Sequence, residues 1–132
     1  MEATSLTSTW APRLLSVLRI VTGFLFMLHG MQKLLGFPAP APMEVPLFSL
    51  IGLAGVLELF GGALVLLGLF TRPAAFVLSG EMAFAYFIGH APTSFWPVLN
   101  GGDPAILYCF VFLYLAAAGA GPWSIDGMRH AR

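Results

Sequence analysis

Apolar residues gather in four runs, at about 13–35, 47–70, 73–90 and 104–120, separated by stretches rich in proline and glycine. The first run, RLLSVLRIVTGFLFMLHGMQKLL, is long enough to cross a bilayer, yet it carries Arg19 and His29 and ends near Lys33. At 100° per residue, Arg19, Thr22, Gly23, Phe26, Gly30 and Lys33 fall on one narrow stripe, which His29 borders. Leucine, isoleucine and valine hold most of the remaining surface. The stripe is therefore expected to face other helices and the apolar side to face lipid.

The breaks between runs have their own chemistry. Residues 36–46 contain four prolines, which cannot continue a helix and favour an extended connection. The second run carries glycines at 52, 55, 61, 62 and 68, a density that suits closely approaching membrane helices. Gly55, Glu58, Gly62 and Val65 share one face, so Glu58 sits where another backbone comes near. Leu69 to Pro73 is a tight break: Thr71 is expected to cap the third helix, and Pro73 suits a first turn. The third run has Glu81 near its middle and ends at about His90. Residues 91–104 read as a loop with a turn at Asn100-Gly101-Gly102, and its closing Asp103-Pro104 suits an N-cap followed by proline. The fourth run is short for a span and stops at Gly119 to Pro122.

Four spans place both termini on one side. Arg13, Arg72, Arg129 and Arg132 lie on that side and only Lys33 flanks the other, so both termini are expected to be cytoplasmic. Trp10 and Trp123 would mark the inner interface and Trp96 the outer one. An arginine inside a spanning helix costs about 2.5–3.5 kcal/mol on insertion scales and needs a partner. Two carboxylates lie in other apolar runs, and counting residues from the arginine-marked side predicts a buried ion pair of Arg19 with Glu81 rather than Glu58. The same count puts His29, Lys33 and Glu58 nearer the outer side. With His90 and Tyr108 they form a candidate ligand-binding set. The bland alternatives are a structural ion pair for Arg19, a snorkelling Lys33 and an interfacial loop position for His90.

Composition sharpens this picture. Of 132 residues, 58% are hydrophobic and 9% charged, and the mean hydropathy is +0.87, which is the profile of an integral membrane protein. Formal charges cancel and no basic run is present, so nucleic acid is not an expected partner. Cys109 is the single cysteine and reads as packing; no metal-ligand cluster, haem ligand set or iron–sulfur motif appears. Arg19 interrupts what would be the apolar core of a signal peptide, and no small-residue cleavage site follows. The first helix is expected to remain in the protein.

These residues also carry a family pattern. Arg19 with Gly23 and His29-Gly30-x-x-Lys33-Leu34, then Gly55-x-x-Glu58-x-x-Gly61-Gly62 and Gly68-Leu69-x-Thr71-Arg72, begin it. Glu81-Met82-x-x-Ala85, Asn100-Gly101-Gly102-x-Pro104-Ala105-x-Leu107-Tyr108 and Gly119-x-Gly121-Pro122-x-Ser124-Ile125-Asp126 complete it. Over roughly 15–126 the chain resembles the DoxX family of small four-helix bacterial membrane proteins, with Asp103 and Ile125 where glutamate and leucine are common. The resemblance implies an all-α four-helix bundle as a single domain, multi-pass in the bacterial plasma (inner) membrane. It also implies kinship with a membrane subunit of a thiosulfate:quinone oxidoreductase. Quinone is then the expected non-covalent ligand, and a soluble or membrane redox partner supplies the electrons. A non-catalytic assembly subunit is the alternative; a small-molecule transporter would require a homo-oligomer.

Overall fold

In a computed structural model that describes residues 2–130, the described residues form helices and connections with no strand among them. Helix α1 spans Glu2–Leu35. Its 34 residues reach about 51 Å, well beyond a hydrocarbon core of about 30 Å. It starts far ahead of the expected 13, because Pro12 is accommodated in an exposed stretch that lies outside the packed bundle.

Helix α2 spans Leu50–Leu67 and starts at Ser49, whose hydroxyl accepts a hydrogen bond from the Gly52 N–H at 3.1 Å. Midway, Leu57–Gly61 forms a wider π-type turn. The helix stops at Gly68, whose φ of 68° lies where a side chain would be strained.

Helix α3 spans Thr71–Gly89. Thr71 is its first residue and not its cap. The cap is supplied from far along the chain by Asp126, which accepts the N–H groups of Phe70 and Thr71 at 3.0 and 2.9 Å. After a short 3-10 turn at Ala91–Thr93 and one helical turn at Pro97–Asn100, helix α4 spans Asp103–Ala118. Asp103 likewise lies inside the first turn, and Gly102 occupies the cap position without a side-chain bond. Helix α5, Ile125–His130, follows a bent connection.

Helix α1 packs along α2, and α3 packs along α4; the two pairs meet around Phe26, Val65, Leu78, Met82, Phe112 and Leu115. Gly30 explains how close the first pair comes, since a methyl group there would overlap the backbone of Leu59. Three helices are long and apolar enough to cross a membrane, and α4 is a shorter apolar helix. Large side chains such as Phe48, Phe60, Phe84 and Phe110 stand exposed around the outside, a surface that suits lipid and not water.

Candidate functional site

Two polar assemblies interrupt the apolar interior, one at the end of the bundle and one halfway along it. At the end lies Arg19, with 0% of its surface exposed. Its Nη1 donates to the carbonyls of Val65 and Leu66 at 2.8 and 2.6 Å, Nε donates to Ala120 at 2.8 Å, and Nη2 donates to Trp123. The expected ion pair of Arg19 with Glu81 is therefore not formed. The carbonyls of Val65 and Leu66 lack the next turn's N–H groups, apart from the Gly68 N–H that Val65 accepts at 3.1 Å, and they carry the negative end of the helix dipole, so a guanidinium fork satisfies them without a carboxylate. Because the packed part of α1 begins near Ser16, whose hydroxyl accepts the Trp123 N–H, Arg19 lies at the bundle end rather than a third of the way in.

The same end holds two related contacts. Arg72 Nη1 donates to the Ala117 carbonyl and so closes α4 as Arg19 closes α2. Burial of Asp126 opposes its ionisation, but the N–H groups of Thr71 and Phe70 and the Arg129 charge outweigh this and hold its carboxyl below the usual range.

Halfway along the bundle, four helices each contribute one polar side chain. The π-type turn of α2 carries Glu58, only 2% exposed, and the Lys33 ammonium from α1 donates to its Oε1. From α3 comes Glu81, within electrostatic reach of Glu58 and Lys33. Both Glu81 oxygens are buried, and no hydrogen bond of good geometry reaches them among the described residues. From α4, Tyr108 lies within electrostatic reach of Glu58, and its ring meets Phe26 at 5.0 Å and His29 edge-on at 6.0 Å. Counted from the Arg19 end at about 1.5 Å per residue, Glu58, Glu81 and Tyr108 lie roughly 10–15 Å in, close to mid-height.

Of the expected set, Lys33, Glu58 and Tyr108 thus come together, with Glu81 joining them from the ion pair expected elsewhere. His29 stands at the edge, exposed, with Nδ1 bonded to the Leu25 carbonyl at 2.9 Å and its ring against Tyr108. His90 does not join. Its Nδ1 bonds the Asn100 carbonyl at 2.9 Å, and its ring stacks on Tyr86 in the connection beyond α3. The hub of that connection is buried Asn100, whose amide donates to Tyr86 and Ser94 while its oxygen accepts from Gly102. The sequence marks Asn100 only as a turn; the further signal is an amide side chain placed directly before two glycines.

Chemically, the mid-height group holds two carboxylates against one ammonium. If both carboxylates ionise, the group carries a net negative charge away from water; with one proton bound it is neutral. A phenol and an imidazole stand beside it. Such a group can take up and release a proton without assembling new charge in an apolar medium.

A DoxX family model matches residues 14–91. A protein of Haemophilus influenzae, named only as uncharacterized, is 43% identical over 125 residues, covering 89% of this chain and 91% of its own length. An uncharacterized membrane protein of Mycobacterium tuberculosis is 30% identical, with 83% of this chain and 77% of the relative covered. The inner membrane protein YphA of Escherichia coli is also 30% identical, with coverages of 87% and 89%. No solved structure matches the chain.

Proposed function

Since this chain belongs to the DoxX family of membrane proteins, we propose that it is a multi-pass protein of the bacterial plasma membrane whose mid-height polar group exchanges protons with a membrane quinone. The four helices α1 to α4 are the spans, and the arginine-rich end with Arg13, Arg72 and Arg129 faces the cytoplasm. The relative named as an inner membrane protein supports this location.

One observation carries the reading: a second carboxylate, Glu81, is buried beside the Lys33–Glu58 pair, next to Glu58 but with no hydrogen bond of good geometry to either of its oxygens among the described residues. A purely structural ion pair has no use for it. In this reading quinone reduction takes up two electrons and two protons, and Glu81 and Tyr108, each within electrostatic reach of Glu58, deliver the protons on the His29 side of the bundle. On the same reading the electrons come from a redox partner, and this chain acts as its quinone-facing membrane subunit.

The test is quinone-dependent turnover of the complex isolated from native membranes, measured beside its thermal stability. Glu81→Gln keeps the shape and removes the exchangeable proton; it is expected to cut turnover at least tenfold at unchanged stability, about 1.4 kcal/mol in the barrier. Wild-type turnover in a stable Glu81→Gln protein would favour the non-catalytic assembly subunit instead.

A further inference from the structure

At the end of the bundle where Arg19 is bound, a cleft of about 610 Å³ opens between the α2–α3 turn, the chain leaving α4, and α5. Arg72 and Arg129 are exposed in its wall, and His130 joins them. Only one donor of Arg72 is engaged among the described residues, on the Ala117 carbonyl, while the Arg129 guanidinium lies 5.3 Å from the centre of the Phe70 ring. The carboxylate in the wall is Asp126, and both its oxygens already accept backbone N–H groups. The cleft thus sets two guanidinium groups against one carboxylate and keeps a net positive charge for an anion.

A second hollow of about 370 Å³ runs between α2 and α3, walled by apolar side chains including Val56, Phe60, Leu64 and Val77. It shares Phe70 and Pro73 with the cleft, so the two adjoin. From Leu64 to Val56 it follows α2 for about 12 Å toward mid-height. Phe60 and Val77, 63% and 51% exposed, flank it on the outer surface of the bundle.

We propose that cleft and groove together form one binding site for an anionic phospholipid, with its phosphate between Arg72 and Arg129 and an acyl chain along α2 and α3. Charge selects the head, because guanidinium groups bind phosphate through paired N–H bonds, and a zwitterionic head would bring its own cation against them. Adjacency selects the lipid: a free phosphate would leave the groove unused, and an uncharged apolar molecule would leave the arginines unused. Basic pockets between helices at a membrane surface hold anionic heads in this way. The site is separate from the mid-height group and does not depend on the function proposed for it.

Thermal stability of the protein in neutral detergent, titrated with phosphatidylglycerol, phosphatidylcholine of the same chains, or inorganic phosphate, tests this. Phosphatidylglycerol is expected to stabilise most. Arg129→Gln, which removes no hydrogen bond among the described residues, should weaken it about fivefold, the contribution of one basic residue near a lipid surface. Val77→Trp, filling the groove from its lipid side, should weaken both lipids and leave the lipid-free melting point unchanged. Equal binding of the two lipids, or an unaltered preference in Arg129→Gln, would overturn the proposal. So would full stabilisation by inorganic phosphate alone, which would mark a site for free anions.

Discussion

Asp126 shows how much a single side chain closes at the bundle end, since it caps α3 from 55 residues away. Asp126→Asn keeps one acceptor oxygen where two N–H groups are bound, and should cost about 1 kcal/mol for the bond lost. The sign with pH follows from its lowered folded-state value. The contribution is complete above the ordinary value of 3.8 and is lost as pH falls through the depressed folded value. The difference in melting temperature between wild type and Asp126→Asn should therefore be constant near neutrality and shrink in acid below about pH 4. A difference that persists undiminished into strong acid would assign the cap to another group. Single residues were partly legible in the sequence. Burial of Arg19 followed from its stripe, but its partner did not, because backbone carbonyls at a helix end leave no mark in side-chain identity.

Helix pairing rests on small residues, and here the sequence pattern reads further. Gly23 and Gly30 lie on the predicted stripe of α1, and both meet the α2 backbone. Gly30→Ala would push its new methyl into Leu59, so α1 and α2 must separate, and overpacking of this kind costs about 1–3 kcal/mol. Gly80→Ala is the control: nothing lies within 4 Å of its added methyl, and it should be neutral or stabilise α3 by up to about 1 kcal/mol. Chemical unfolding in detergent compares the two. Equal effects would remove close approach as the reason for Gly30. The π-type turn at Leu57–Gly61 was not legible, since one extra residue in a turn shifts the phase of a helix without changing its composition.

At the scale of the molecule, the expected separation into an inner ion pair and an outer ligand set fails at two helix ends. Helix α1 runs on past the bundle and its packed part begins near Ser16, which lowers Arg19 to the end. Helix α2 stops at Leu67 rather than near Phe70, which brings Glu58 to the height of Glu81. Arg19→Leu should then lower folded yield by stranding several carbonyls, at about 1–3 kcal/mol for each one left buried. Adding Glu81→Leu should not restore it, and rescue in the double variant would reinstate the pair. The Arg19 contacts also impose an order on biosynthesis. Its first acceptors, Val65 and Leu66, lie 46 and 47 residues downstream, but Ala120 and Trp123 lie 101 and 104 residues downstream. At about 5–20 residues per second, the guanidinium waits roughly 5–20 s after its own synthesis for the last of them. A nascent chain arrested before residue 117 holds a half-solvated cation in its first helix and should be degraded faster than one released after 124. Equal lifetimes of the two truncated chains would show that the cell does not sense the open latch.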